Sequence, residues 1–454
     1  MRPTSSLSAA LLLSLGFAIG ACGSSSNGAA PGGTGDGGAD ATNDGGGGDA
    51  ADAAQDTSVD ASDSGTIGGY PAAHPPMPQV LDAGGPVMKT PKFVVITFAG
   101  DALAPQIDDF SAKVAASATY WSGTTAEYGV GPVASVLDIS VADTPATNLA
   151  DADVQAWLTS KLSGPDAGIL DGGAPWPQPD GDTIYMIYYP SSVTITQGGG
   201  TSCNQFYGYH GDYALSAGKY VTYSVIARCP AFPGTSDIDS IAAIASHEYV
   251  EAATDPLQEN PAYSNPDPDH AAWATLAGGE LGDMCAGFGN VFYKPADVPY
   301  LVQRTWSNKA AAASLDPCQP GGVTPNFNAA AVLNDTVTFS GAAGAMMTKG
   351  VKIPVGGTGT VELDLYSSAP TSGPWTVQAY DGASYLSMGG APPELTVSFP
   401  GGASTATGKN GDKLQLTIKV LTADPSGAEL FMLVSTLGTA SNAPQTYWVG
   451  LVGN

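Results

Sequence analysis

Ser246-His247-Glu248-Tyr249-Val250-Glu251-Ala252-Ala253-Thr254-Asp255-Pro256 closes a segment in which Ile238, Ile241, Ile244 and Ala245 recur at helical spacing. Asp237 is expected to cap this helix, which runs to about Ala253. Residues i and i+4 project from one face of a helix, so His247 and Glu251 can grip one metal ion. Glu248, one position on, stands beside the open coordination position and can take a proton from water there. Zinc accepts carboxylate oxygen as well as imidazole nitrogen, so a His/Glu/carboxylate set suits it. A second anionic ligand lowers the charge of the site and makes a coordinated water less acidic. The pattern therefore speaks more strongly for metal binding than for catalysis.

The same string resembles the zincin helix motif HExxH, with Glu251 where the second histidine would stand. That resemblance implies an α+β zincin-like domain, a zinc ion and hydrolysis of peptide bonds, with Glu248 as general base. In gluzincins a glutamate on a later segment completes the site and an aspartate a few residues on orients a ligand histidine. Gly278-Gly279-Glu280-Leu281-Gly282-Asp283-Met284-Cys285 resembles that pair, with Glu280 as ligand, Asp283 behind it, and the two roles open to exchange. Zincins also keep an edge strand that pairs with an extended peptide, and Tyr220 to Arg228, just ahead of the helix, is expected to be that strand. On this reading Glu251→His recreates HExxH and keeps or raises zinc affinity. Over 92–320 the chain is similar to a class of bacterial lipoproteins carrying a gluzincin-type HExxE segment. More remotely it resembles the plant exordium-like (phosphate-induced) extracellular proteins. Gly208-Tyr209-His210, His247-Glu248 with Thr254-Asp255-Pro256, and Gly279 to Asp283 with Cys285 carry the likeness. The exordium resemblance implies a wall-associated secreted protein without established catalysis, which pulls against a protease.

His210 lies in the Gly/Tyr-rich stretch Gly208-Tyr209-His210-Gly211-Asp212-Tyr213, read as a loop near Cys203. It is a candidate third ligand or a hydrogen-bond donor to the transition state, against the plainer reading of a hydrogen-bonded surface residue. Asn265-Pro266-Asp267-Pro268-Asp269 has the alternating oxygens of a calcium loop. His270 occupies the position where an EF-hand needs glycine, which leaves only a loose calcium site there or in 163–182. His74 falls in a linker. Tyr120-Trp121 and Glu127 to Gly131 read as core and turn. There is no GxSxG, and Gly198-Gly199-Gly200 lacks the lysine of a phosphate loop.

The chain has 454 residues, 15 Lys+Arg against 42 Asp+Glu and a net charge of −27, which repels phosphate backbones and argues against nucleic-acid binding. Gly 59 and Pro 35 favour β-structure and long loops over a helical bundle. Met1-Arg2, an apolar run from Leu7 to Ile19 and Gly20-Ala21-Cys22 describe a signal peptide over 1–22, and the ending resembles a lipobox with Cys22 as the lipidated residue. From Gly23 the chain is Gly, Ala, Ser and Asp, with Asp36, Asp40, Asp44, Asp49, Asp52, Asp56, Asp60 and Asp63 scattered through it. Such a stretch cannot offset its ordering entropy, so 23–76 reads as a tether. Cys203, Cys229, Cys285 and Cys318 remain, an even number that implies two disulfides outside the cytoplasm. Of the three pairings, loop closure favours Cys203–Cys229 and Cys285–Cys318.

Phe93 to Phe98 reads as a buried strand, followed by a helix with the stripe Leu103, Ile107, Phe110 and Val114. A second helix is expected around Val154, Trp157, Leu158 and Leu162, and further strands at Ile184 to Tyr189 and Tyr220 to Arg228. These belong to the zincin-like α+β domain, 77–320. Beyond it, 321–454 shows about seven short runs between turns: Thr336 to Phe339, Thr360 to Tyr366, Trp375 to Tyr380, Leu395 to Phe399, Leu414 to Leu421, Leu430 to Val434 and Tyr447 to Val452. That spacing predicts an all-β immunoglobulin-like sandwich. The sequence thus predicts a monomeric, lipid-anchored protein of the bacterial cell envelope, touching the membrane only through its lipid. Its partner is a peptide or protein substrate, or an envelope component if it is a non-catalytic adhesin.

Overall fold

A computed structural model describes residues 69–454 except 164–169, 171–174, 277, 289, 342–343, 388–389 and 441. The expected signal peptide, Cys22 and the expected tether up to residue 68 lie outside the described residues, as does part of 163–182. Residues 69–76, assigned by sequence to the tether, are packed on the rest of the chain. His74 stacks on Tyr366 with ring centroids 3.5 Å apart, and the amide of Ala72 donates to Asn410 Oδ1.

The first part is a mixed α/β unit built on five strands, β1 (Lys92–Phe98), β2 (Ser135–Val141), β3 (Thr183–Tyr189), β4 (Gly208–Ser216) and β5 (Lys219–Ala227). Their order is β2-β1-β3-β5-β4, parallel except for β4, which runs antiparallel to β5 at the edge. Central strands covered on both faces must be apolar on both. Along β1, Phe93 and Val95 enter one core while Val94, Ile96 and Phe98 enter the other; Ile184 and Met186 against Tyr185 and Ile187 do the same on β3. One face is covered by α1 (Ala104–Ala116) and α3 (Asp237–Thr254), through Ile107, Phe110, Val114 and Tyr249. The other is covered by α2 (Asp151–Ser163) through Val154, Leu158 and Leu162. Pro105 sits in the first turn of α1, where a missing N–H costs nothing. The cap of α3 is Ser236 rather than Asp237: the seryl oxygen accepts from the Asp239 amide, and Asp237 takes the first helical position beside it.

Two sequence expectations change here. The segment Tyr220 to Arg228 is not the edge strand: β5 lies between β3 and β4. The edge is β4, and it carries His210, which therefore sits on a strand and not on a loop.

The second part is mainly β, in two sheets, with a short helix at Gly382–Leu386. One has the order β6 (Phe327–Ala331), β9 (Thr358–Ser367), β13 (Lys413–Val420), β11 (Leu395–Ser398). The other runs β7 (Asp335–Gly341), β8 (Gly344–Lys352), β15 (Gln445–Gly453), β14 (Ala428–Thr436), β10 (Trp375–Asp381), β12 (Thr405–Gly408). All seven runs read from sequence are strands; β6, β8 and β12 were not foreseen. The two parts share one continuous core. Trp273 meets Trp448 edge to face at 5.7 Å, and Phe288 meets Tyr447 at 4.8 Å.

The disulfides are Cys203–Cys229 and Cys285–Cys318. Such bonds persist in an oxidising, extracytoplasmic compartment. No helix among the described residues is long and apolar enough to cross a membrane. Cys285–Cys318 closes a loop with a sequence separation of 33, for which chain entropy assigns about 4 kcal/mol. The Cys285→Ser/Cys318→Ser double variant should therefore lose about 2–4 kcal/mol in urea unfolding. An unchanged midpoint would show that the bond does not constrain this loop.

Candidate metal centre

The centre is assembled from α3, β4 and the turn 278–283. Side chains alternate across a strand. Tyr209 of β4 turns to the α2 side, where its hydroxyl donates to Asp151 Oδ1 at 2.6 Å, so His210 turns to the α3 side. Gly208 lets β4 approach α3 closely: a Cβ there would lie 2.7 Å from Ile244 Cγ2 and 3.0 Å from Glu248 Oε1. On α3, His247 and Glu251 stand one turn apart, with His247 Nε2 2.9 Å from Glu251 Oε2. The turn closes on them through two glycines. Gly278 has φ +136° and a Cβ would fall 1.8 Å from Asp283 Oδ2; at Gly282 it would lie 2.5 Å from His247 Nδ1. The Gly282 and Asp283 amides both donate to Glu251 Oε1, each at 3.0 Å.

These contacts bring together every zinc or catalytic candidate read from sequence. His247, Glu251 and Asp283 form one group whose ligand atoms lie within 4.8 Å of one another; His210, Glu248 and Glu251 form a second. Asp283, not Glu280, thus joins His247 and Glu251, with Oδ1 3.6 Å from His247 Nε2. Glu280 stands on the His210 side, its Oε1 3.6 Å from His210 Nε2, and hydrogen-bonds Asp255. All seven groups, Asp255 included, are less than a tenth exposed. Two further residues hold the centre in place: Gln303, which had no sequence signal, and Asp255, which was singled out only within Thr254-Asp255-Pro256. Gln303 Nε2 donates to Gly282 O and lies 2.8 Å from His247 Nδ1, and its own amide donates to Ser246 Oγ. Asp255 accepts from the Ala262 amide at 2.6 Å and fixes the chain after the helix.

These atoms could hold a metal ion. Both ring nitrogens of His210, Nε2 of His247 and Oε2 of Glu251 are buried and face only one another and neighbouring carboxylates, His247 Nε2 and Glu251 Oε2 as an ion pair. Separations of 3.5–3.7 Å are long for N–H···O bonds. They match the span of about 3.4 Å between donors of a tetrahedral ion with bonds of about 2.1 Å. Imidazole with carboxylate suits zinc and other first-row dications better than calcium. The calcium candidate at 265–269 is otherwise engaged: Asp267 accepts from the amides of Gln79 and Asp269 and lies 2.8 Å from His270 Nδ1.

Without an ion, protons must balance the buried charge. Burial alone would lower both histidines, but Glu280, Glu251 and Glu248 around His210 raise it to about 10, and Glu251 and Glu248 raise His247 to about 9. Burial and neighbouring carboxylates hold Glu280 and Asp283 well above the usual range. A histidine whose folded value is raised contributes stability fully present below the unfolded value of 6.5, lost as pH rises through 9 and 10. The raised carboxyls lose theirs in the same direction. The metal-free protein should therefore melt at progressively lower temperature as pH is raised from about 6.5 towards 10, whereas the zinc-loaded protein, holding an ion in place of protons, should fall less. Parallel curves with and without chelator would remove the ion from this account.

No family model matches the chain, and no curated protein does. Among solved structures it is similar to domains 4 and 5 of the S-layer protein SbsC (15% identity, 27% of this chain and 52% of that one, TM-score 0.16). It is also similar to an extracellular fragment of EsaA from Streptococcus gallolyticus (18% identity, 21% and 23%, TM-score 0.13). A third is the CsuC–CsuE chaperone–tip adhesion subunit complex of Acinetobacter baumannii Csu pili (18% identity, 23% and 53%, TM-score 0.15). The chain spans about half of the first and third and a quarter of the second. Likenesses this slight bear on neither fold nor function.

Proposed function

We propose that the protein is a metal-dependent, peptidase-like hydrolase of the bacterial cell envelope, anchored through lipid on Cys22. The observation that carries this reading is the convergence of buried His247, His210, Glu251, Glu248 and Asp283 side chains whose ligand atoms face one another closely enough to share a metal ion. His247, Glu251 and Asp283 would hold the ion, zinc by donor chemistry. When bound, such an ion supplies a Lewis acid. The protein's own residues supply the rest. Glu248 accepts a proton from the attacking water; Gln303 fixes the ring of His247; the paired Gly282 and Asp283 amides fix Glu251. The strand order, with one antiparallel edge strand against the metal helix, supports a zincin-like domain, and β4 offers its free edge to an extended peptide. The two-sheet second part supports an immunoglobulin-like accessory domain.

A second reading rests on burial. Every group of the centre is less than a tenth exposed, and structural metal sites are closed where catalytic ones keep an open position. On that reading the protein is a non-catalytic envelope adhesin or binding protein stapled by its ion. Incubating the purified chain with a varied peptide library separates the two. Cleavage abolished by chelator and restored by zinc supports the hydrolase; stoichiometric zinc with no cleavage of any peptide gives the function to the second reading.

A further inference from the structure

Around Glu251 the donors divide into two sets. His247 and Asp283 lie on one side, His210 and Glu248 on the other, and no group within 4.8 Å holds both histidines. Donors on a single ion with bonds of about 2.1 Å are at most about 4.2 Å apart. One ion therefore cannot take both histidines as they stand. Nor can one dication balance the buried carboxylates Glu248, Glu251 and Asp283 together with the Asp255–Glu280 pair. His210 has the surroundings of a ligand. Nδ1 faces Glu248 Oε2 at 3.5 Å and Glu251 Oε2 at 3.7 Å, both beyond the usual N–H···O length, and Nε2 faces Glu280 Oε1. A carboxylate behind the far nitrogen is what fixes the tautomer of a metal-bound imidazole.

We propose that the protein has a second divalent-cation site, formed by His210 of the edge strand with Glu248 and Glu251, sharing the Glu251 carboxylate with the first ion and steadied by Glu280. This rests on the metal reading above and goes beyond it. The site has a functional consequence: a cation on Glu248 occupies the oxygens that would accept the proton, so excess metal silences the hydrolase. The second ion is the weaker one, because it competes for a carboxylate already engaged and repels the first.

The test is a titration of metal-stripped full-length protein with zinc alone, read as bound metal per chain, and with manganese, read by EPR. Wild type should bind two equivalents, the second more weakly, with a spin-coupled manganese signal replacing that of the isolated ion as the second enters. His210→Ala should bind one equivalent and show only the isolated-ion signal. His210→Asn, of similar size to the first atoms of the ring, carries the same test if the alanine variant does not fold. One equivalent in wild type, or loss of no metal in the His210 variants, overturns the second site and leaves the first standing; loss of all metal in folded His210 variants overturns the division into two sites. No metal in wild type overturns both.

Discussion

Glu251→His empties the centre of metal and costs about 3–5 kcal/mol of stability, although in sequence it restores HExxH. The reason is the second oxygen of Glu251. Oε1 accepts from the Gly282 and Asp283 amides at 3.0 Å each, while Oε2 points at the histidines. An imidazole that offers one nitrogen to an ion has no acceptor left for these two buried donors, and each orphaned donor costs about 1–3 kcal/mol. There is also no room for a ring to shift, since Gly282 lies so close that its own Cβ would be 2.8 Å from Glu251 Oε1. Bound zinc per chain and the urea midpoint check the prediction. Full stoichiometry at a wild-type midpoint would mean that the turn 278–283 does not depend on this carboxylate.

Glu248→Gln has the largest expected effect on turnover, a fall of about 10²–10⁴-fold. The amide keeps the shape that packs beside Gly208 and Ile244 but cannot accept a proton from water. The first equivalent of zinc should stay, because His247, Glu251 and Asp283 are untouched. Peptide hydrolysis and metal content measured on one preparation check it. Undiminished hydrolysis would place the proton acceptor elsewhere.

What the sequence showed follows what burial imposes on it. β1 and β3 are legible as unbroken apolar runs because both faces are covered, and α3 is legible from its stripe of isoleucines. β4 was missed because Gly208, Gly211 and Asp212 are turn residues by propensity; its strand character comes from pairing with β5 and from the close approach of α3 that Gly208 permits. β6 was missed because Phe327-Asn328-Ala329-Ala330-Ala331 has no strand propensity beyond its first residue, yet all five are buried. At the centre, His247 and Glu251 were readable because their spacing is fixed by one helix. Which of Glu280 and Asp283 stands with His247 was left open, because it depends on how the turn folds about Gly278 and Gly282. Gln303 carries no local signal at all. It is a lone glutamine of a two-residue strand, brought to His247 by tertiary structure alone.

The central claim is an ion held by His247, Glu251 and Asp283, and anomalous diffraction from a zinc-loaded crystal at the zinc edge tests it most directly. The account predicts the strongest anomalous peak about 2.0–2.2 Å from His247 Nε2 and Glu251 Oε2, with Asp283 completing the set. Anomalous peaks confined to surface carboxylates, with His247 Nε2 hydrogen-bonded to Glu251 and no peak between them, would contradict it.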